Sequence, residues 1–198
     1  MTTLHQLRSD PEYWGGERTA YRAKQLHSVP DCPVVNRREF ILTRVKDKIV
    51  LDIGASGPMH EAIVAVSALC YGIDREDGKG VVGANLDDPT VDVPQFLNVE
   101  VVVCGEVIEH LGNPQSFLQR LRAAYGKVPV IITVPNAFST SGLNALAKGI
   151  ENVNQDHVAY YSYTTLTRLV TRVGYEVSEA YWYNGQPKFA EGLIFVVR

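Results

Sequence analysis

The sequence of 198 residues has few cysteines and no long apolar run. Its three cysteines, Cys32, Cys70 and Cys104, lie far apart and form no C-x-x-C pair, which argues against a disulfide framework or a cysteine-rich zinc site. No stretch approaches the roughly 18 apolar residues of a membrane span, and the N-terminus has no apolar targeting region. We therefore expect a cytoplasmic protein without a membrane partner.

An excess of basic residues is absent as well. The formal net charge is −3, so the chain lacks the positive footprint that proteins use to bind nucleic acid, and we expect no nucleic-acid partner. Hydrophobic residues make up 45% of the chain and charged residues 21%, as in ordinary globular proteins. This length and composition suit one domain with a substantial core.

Beyond about residue 45, short apolar segments alternate with amphipathic ones. The pattern predicts strands at 48–54, 70–74, 80–88, 99–104 and 128–134, helices at 58–69, 113–126 and 162–174, and two closing strands at 175–183 and 192–198. Alternation of this kind predicts an α/β fold with a doubly wound, Rossmann-like sheet of seven strands. We expect the sheet to be mostly parallel, with an antiparallel last strand.

Residues 1–45 differ in texture from the rest of the chain, because they are polar, charge-rich and interrupted by prolines. Two segments, "GERTAYRAKQLH" at 16–27 and "NRREFILTRV" at 36–45, each predict a short amphipathic helix. We expect 1–45 to form an N-terminal helical cap that selects a substrate, and 46–198 to form one compact domain.

Polar residues and glycines follow the predicted strands at the edge where open α/β sheets bind ligands. Gly54 and Gly57, in "VLDIGASG", permit a tight turn that brings backbone N–H groups close to a ligand. Asp74 ends the next strand, where a carboxylate accepts hydrogen bonds from ribose hydroxyls. Asn85 and Asp87, at the end of the third strand, are expected within reach of an adenine amino group. Such residues also fill ordinary turns, but their combined spacing favours a nucleoside site.

The fingerprint G-x-G-x-x-G is missing from this turn. "GASGPM" places Ser56 and Met59 where two glycines are needed, which argues against a nicotinamide-dependent oxidoreductase.

Three ionisable residues, Glu106, Glu109 and His110, come directly after the predicted strand 99–104, in "CGEVIEHLGNP". Three hypotheses remain open. The side chains are solvated or hydrogen-bonded at a helix entry; His110 is a general base for a substrate hydroxyl; or the three residues bind a divalent cation that orients and acidifies that hydroxyl. His157, in "NQDHVAYYS", either completes such a catalytic set from a facing loop or shapes the pocket.

Four segments, "VLDIGASG", "GID", "VVVCGEVIEHLGNPQSFLQRL" and "ITVPNAFS", together resemble the class I S-adenosylmethionine-dependent methyltransferases. The resemblance covers about residues 45–198. "EVIEHL" with "DHVAYYS" resembles most the branch that includes the ubiquinone-biosynthesis O-methyltransferases. It implies S-adenosylmethionine as cofactor and a methyltransferase domain over 46–198.

The resemblance also assigns roles to residues. It implies a cofactor site formed by Asp52, Gly54, Ala55, Ser56, Gly57, Asp74, Arg75, Asn85, Leu86, Gly105 and Glu106. Because related enzymes use an E-x-x-E-H segment for metal, it implies a site for Mg²⁺ or another divalent cation at Glu106, Glu109 and His110. One departure is that Ser56 and Pro58 replace two glycines of the family's first loop.

From these observations we expect a methyltransferase that modifies a small-molecule acceptor, at oxygen, with His110 and His157 as candidate catalytic residues. Two alternatives remain. One is a metal-dependent 2′-O-methyltransferase acting on the 3′ end of RNA, and the other is a non-catalytic module that binds S-adenosylmethionine.

Overall fold

The computed structural model describes residues 27–198, so the helix predicted at 16–27 lies almost wholly outside the described residues. The strands are β1 (Val34–Val35), β2 (Ile49–Ile53), β3 (Leu69–Asp74), β4 (Val81–Gly83), β5 (Val101–Gly105), β6 (Val130–Pro135), β7 (Val177–Tyr183) and β8 (Gly192–Val197). The helices are α1 (Arg37–Val45), α2 (Gly57–Val66), α3 (Pro114–Tyr125), α4 (Thr140–Leu146) and α5 (Tyr163–Arg172), and a 3₁₀ turn spans Ile108–His110. Within 27–198, none of the helices has the length and apolar character that a bilayer crossing requires.

The strands form a single mixed sheet in the order β1-β7-β8-β6-β5-β2-β3-β4. Neighbouring strands are parallel except at β8, which runs antiparallel to both β6 and β7. The predicted doubly wound, mostly parallel sheet with an antiparallel last strand is confirmed. The one difference is β1, a two-residue strand that extends the sheet by pairing with β7. A strand of two residues is too short to leave a periodic pattern in the sequence.

Both faces of the sheet are covered by helices. In β5, Val102 and Cys104 pack into the core layer that includes α3 and α5, whereas Val101 and Val103 pack into the layer that includes α1 and α2. Successive side chains of a strand point to opposite faces, so a strand covered on both sides is apolar throughout. This explains why the strand could be predicted from its uninterrupted apolar run.

The predicted helix at 36–45 is confirmed as α1. It begins after Asn36, whose side chain accepts a hydrogen bond from the Glu39 N–H at 3.0 Å. Ile41 and Val45 are fully buried in the same layer as Ile63 of α2, so α1 packs against the sheet. This packing brings the first turn of α1 to the carboxyl ends of the central strands.

No helix or strand was predicted between β6 and α5, and here the structure differs. It contains the short helix α4, which begins after Ser139, whose hydroxyl accepts a hydrogen bond from the Gly142 N–H at 3.1 Å. None of the α4 residues is buried. A helix without a buried face leaves no apolar periodicity, which is why the sequence did not reveal it.

Candidate functional site

A cavity of about 500 Å³ lies at the carboxyl ends of β2, β3 and β5. It is lined by most of the residues that the sequence assigned to a cofactor, namely Asp52, Gly54, Ser56, Asp74, Arg75, Asn85, Leu86, Gly105 and Glu106. Of the other two, Ala55 lies in an adjoining depression and Gly57 begins α2. The tips of three strands therefore meet at a single hollow, as the topology of an open α/β sheet requires.

The turn after β2 depends on glycine for two reasons. Gly54 has a φ of +77°, and a Cβ added there would lie 2.6 Å from Val107 Cγ2. Gly57 has a φ of +65°, but an added Cβ would meet nothing within 4 Å. The first glycine thus provides both backbone freedom and space, whereas the second provides backbone freedom alone. The tight turn forms although the family's other two glycines are absent.

Asp52, at the floor of the cavity, is only 5% exposed and is paired within the protein. Its Oδ2 lies 2.8 Å from Nδ1 of His60, a residue of α2 that also lines the cavity. Burial raises the pKa of Asp52 to about 6, while His60 opposes that rise and the nearby Asp74 adds to it. The sequence analysis did not identify His60. Its position in the first turn after the glycine loop was the one available signal.

The residues predicted to contact ribose and adenine lie at the ends of β3 and β4. Asp74 accepts a hydrogen bond from the Arg75 N–H at 2.6 Å, and its backbone oxygen accepts one from Ala84 at 2.7 Å. Asp87 accepts a hydrogen bond from the Asn113 N–H at 3.2 Å, so its carboxylate also orders the entry to α3. These contacts hold the rim of the cavity in place.

Glu106 occupies a left-handed backbone conformation, with a φ of +58°, directly after β5. Its Oε1 accepts hydrogen bonds from Thr133 at 2.8 Å and from the Tyr183 hydroxyl at 3.0 Å. The Arg37 Nε lies 4.0 Å from the same oxygen. Burial, and then the charge of Glu106, raise the pKa of Tyr183.

Arg37 is a second residue of the cavity that the sequence analysis missed. It comes from the first turn of α1, and a Cβ added at Gly105 would lie 3.1 Å from its Nη2. Its Nε is buried and has no hydrogen-bond partner among residues 27–198. The cavity therefore contains an oriented guanidinium beside the carboxylate of Glu106.

A second cluster, Glu109, His110 and His157, lies at the edge of the cavity, which His110 itself lines. One potential ligand atom from each residue falls within 4.8 Å of the others. Glu109 is fully buried, and neither carboxylate oxygen has a hydrogen-bond partner among residues 27–198. Burial, with a smaller contribution from the charge of Glu106, raises the pKa of Glu109 to about 8.

Backbone contacts bring the two histidines of this cluster together. The N–H groups of Val158 and Ala159 both donate to the Glu109 backbone oxygen, at 2.9 and 3.2 Å. The rings of His110 and His157 then meet edge to face, with centroids 4.5 Å apart. His110 Nδ1 lies 3.2 Å from the Asp156 backbone oxygen. Because a carbonyl can only accept, Nδ1 carries the proton and the neutral ring has its lone pair on Nε2.

The composition of this cluster differs from the predicted metal set. Glu109 and His110 belong to it, but His157 is the third member and Glu106 is not among the three. The left-handed turn at Glu106 directs its carboxylate towards Thr133 and Tyr183 instead. Burial and the neighbouring His110 lower the pKa of His157, which favours the neutral form of its ring.

The sheet order, the glycine turn and the cavity together define the fold of the class I methyltransferases. Residues 27–180 match the family described as "Methyltransferase domain", and because that match spans more than half of the chain, the protein belongs to this family. It is therefore a methyltransferase. The match does not distinguish the ubiquinone-biosynthesis branch, so that finer placement stays a prediction.

Several solved structures share the fold. The small RNA methyltransferase HEN1 is 18% identical, with a TM-score of 0.65 over 82% of this chain and 24% of that chain. An S-adenosylmethionine-dependent methyltransferase from Aquifex aeolicus is 14% identical, with a TM-score of 0.56 over 82% and 89% of the two chains. The magnesium protoporphyrin IX methyltransferase of Synechocystis, solved with S-adenosylhomocysteine, is 12% identical, with a TM-score of 0.56 over 81% and 80%.

At these identities the likeness concerns the fold alone. This chain spans about a quarter of the HEN1 chain and most of the other two. No curated protein matches it at a significant level.

Proposed function

We propose that this methyltransferase transfers a methyl group from S-adenosylmethionine to a hydroxyl oxygen of a small organic acceptor, with a divalent cation held by Glu109, His110 and His157. The observation that carries the proposal is the fully buried Glu109 carboxylate, which faces two imidazoles and has no partner among residues 27–198. Unpaired buried carboxylates are costly, and strongly perturbed acids beside a cavity are typical of functional sites.

The residues of the cavity fit the cofactor. The glycine turn lets backbone approach closely, and the carboxylates of Asp52, Asp74 and Glu106 give the cavity a negative field that suits a cationic ligand. When bound, S-adenosylmethionine supplies a methyl group on a positively charged sulfur. We assign its binding to the residues Asp52, Gly54, Ala55, Ser56, Gly57, Asp74, Arg75, Asn85, Leu86, Gly105 and Glu106. The task of the protein is to align the acceptor with that methyl group and to exclude water.

The cluster also fits a cation. One carboxylate oxygen and two imidazole nitrogens are a donor set that suits Mn²⁺, Fe²⁺ or Zn²⁺ better than Mg²⁺, which prefers oxygen ligands alone. A divalent cation bound there would supply Lewis-acid chemistry that lowers the pKa of an acceptor hydroxyl. Glu109 must lose its proton before it can act as a ligand, and a pKa of about 8 makes that step pH-dependent.

This proposal and simple base catalysis differ in the role of His110 towards the proton of the acceptor hydroxyl. His110 has its Nε2 lone pair free, because Nδ1 faces the Asp156 backbone oxygen. That lone pair serves as a cation ligand in the proposal, whereas without a cation it would take the proton of the acceptor hydroxyl. The two roles of His110 predict different responses to chelators.

Labelled methyl transfer tests the proposal directly. The chain, treated with chelator, is incubated with labelled S-adenosylmethionine and a panel of hydroxyl-bearing metabolites, with and without Mn²⁺, Fe²⁺, Zn²⁺ or Mg²⁺. We expect transfer to oxygen that depends on a cation and is lost in Glu109→Gln, with Glu176→Gln, which changes an exposed carboxylate, as the matched control. Transfer that needs no cation and persists in Glu109→Gln would contradict the metal hypothesis and support the base hypothesis. Cofactor binding without transfer to any acceptor would favour the non-catalytic module.

RNA is the second candidate acceptor. HEN1, a small RNA methyltransferase, shares the fold, and the cation-type cluster is compatible with a ribose hydroxyl. Against this, the cavity lining carries four carboxylates and only two guanidinium groups, an electrostatic balance that repels polyphosphates. An RNA oligonucleotide in the same acceptor panel, compared with its 2′-deoxy 3′-terminal counterpart, separates the two classes. Methylation of the first alone would support the RNA 3′ end over a small molecule.

A further inference from the structure

Asp52 and His60 form a buried hydrogen-bonded pair at the floor of the cavity. The side chains are 7% and 14% exposed, and Oδ2 of Asp52 lies 2.8 Å from Nδ1 of His60. Since Oδ2 is engaged by the imidazole, Oδ1 is the oxygen left for a ligand. Both residues line the cavity.

The position of the imidazole is fixed by the strand beneath it. A Cβ added at Gly72 of β3 would lie 3.2 Å from Cε1 of His60 and 2.9 Å from both Ala55 Cβ and Val81 Cγ2. The ring therefore lies directly against the backbone of β3, which restricts the angles from which it can approach Asp52. A contact restricted in this way sets the orientation of its partner.

We propose that His60 is a positioning residue of the cofactor site, which holds the Asp52 carboxylate ionised and turned so that Oδ1 accepts from the amino group of the cofactor's methionine part. The inference rests on the proposed function, which assigns Asp52 to the cofactor site. It extends it by assigning to His60 a role in recognising the amino acid, as distinct from the adenosine.

The charges around the pair make His60 necessary. Asp74, from β3, disfavours a second negative charge at Asp52, whereas Arg37, from α1, favours it, and the Cys70 thiol of β3 has its own pKa raised by burial and by Asp52. The hydrogen bond from His60 is the largest of the effects that favour ionised Asp52. Without His60, Asp52 would keep its proton to higher pH and would bind an ammonium group poorly.

Binding of two nucleosides to three variants tests the proposal. S-adenosylhomocysteine carries the amino-acid part, and 5′-methylthioadenosine lacks it. We expect His60→Ala to weaken S-adenosylhomocysteine binding about tenfold at pH 7 and to change methylthioadenosine binding by less than about twofold. His60→Asn, which keeps an N–H donor near the Nδ1 position, should restore most of the affinity. His27→Ala, at an exposed histidine, is the matched control.

The pH dependence of nucleoside binding gives a second measurement, made first on the wild-type chain. Affinity of the wild-type chain for S-adenosylhomocysteine should fall as pH drops below about 6, where Asp52 takes up its proton, while methylthioadenosine binding stays level. In His60→Ala the same fall should begin at higher pH. Equal weakening of both nucleosides would identify a merely structural role, and no weakening of either would identify none; both results overturn the inference. If the wild-type chain binds neither nucleoside, the proposed function itself fails.

Discussion

Two buried carboxylates, Asp52 and Glu109, lie beside the same cavity and differ in how their charge is met. Asp52 is 5% exposed and has His60 at 2.8 Å, whereas Glu109 is 0% exposed and has no hydrogen-bond partner among residues 27–198. Burial raises both pKa values, that of Asp52 to about 6 and that of Glu109 to about 8. Among residues 27–198, the protein thus supplies a hydrogen-bond partner for the buried carboxylate in one half of the site and not in the other.

Under the proposed function, this difference separates a cofactor-binding half from a reacting half. The cofactor half combines rigid glycine turns with side chains that are already paired, so it is preorganised for one ligand. The half around Glu109 contains two imidazoles that can be neutral. It also contains a carboxylic acid that readily gains or loses its proton near neutral pH. An arrangement of that kind suits chemistry that depends on a cation or a proton.

The largest effect is expected from Glu109→Gln, which tests whether the two halves act separately. The substitution keeps the shape of the side chain but removes an anionic ligand, so we expect methyl transfer to fall more than about 100-fold. Binding of S-adenosylhomocysteine should change less than about twofold, because Glu109 belongs to the other half. Initial rates and calorimetry measure the two effects. A loss of cofactor affinity equal to the loss of rate would show that the halves are not separable.

The second test is the pH dependence of cation binding. Glu109 is protonated below its raised pKa of about 8, so the apparent affinity for Mn²⁺ should fall about tenfold for each pH unit below that value. Calorimetry with Mn²⁺ between pH 6 and pH 9 measures it. A level profile would contradict the pKa assignment, and a profile of the same slope in Glu109→Gln would assign it to another group.

The stability of the cation-free chain also depends on the protonation of Glu109, and the direction of its change with pH is defined. The folded pKa of Glu109 lies above its ordinary value of 4.5, so its contribution is most favourable below that pH and is lost as pH rises through about 8. Urea unfolding with chelator should show Glu109→Gln equal to the wild type near pH 5 and more stable at pH 9, by on the order of 3 kcal/mol.

The third test compares the two glycines of the cofactor turn. Both have positive φ, but only at Gly54 would a Cβ collide, with Val107 Cγ2 at 2.6 Å. We expect Gly57→Ala to cost about 1 kcal/mol in the free energy of unfolding and Gly54→Ala about 3 kcal/mol. Gly54→Ala should also weaken S-adenosylhomocysteine binding about tenfold. Equal costs for the two variants would mean that backbone conformation alone, without close packing, requires glycine here.

The smallest effect is expected from Tyr183→Phe. The change removes one hydrogen bond to Glu106 but leaves that from Thr133, so the carboxylate keeps one donor. We expect the KM for S-adenosylmethionine to rise about threefold with kcat unchanged. A fall in kcat would place Glu106 in the reacting half, and the two halves could then no longer be distinguished.

Much of the cofactor half was predictable because its signals are local. The apolar run before Gly54 predicts a strand buried on both faces, and the glycine positions predict a turn with positive φ. Asp74 follows its own strand directly. Because parallel strands end at one edge of a sheet, residues that each follow a strand are expected to meet there.

The reacting half was less predictable because its parts are distant in the chain. His157 lies in a connection with little periodicity, and contacts between distant parts of the chain bring it to His110, among them the hydrogen bonds from Val158 and Ala159 to the Glu109 backbone. The role of Glu106 as a metal ligand stays a prediction, and in the structure its carboxylate accepts hydrogen bonds from Thr133 and Tyr183. A side-chain direction of that kind depends on a dihedral angle that no spacing reveals.

Sequence alone determined most of the strands and helices, though not β1 or α4, together with the glycine turn and the strand-end acids, since each depends on neighbours along the chain. Tertiary structure alone decided that His60 pairs with Asp52, that Arg37 reaches the cavity from α1, and that Glu109 is left without a hydrogen-bond partner among the described residues. The physical reason is that burial and charge pairing depend on distances across the sheet, which are set when the layers pack.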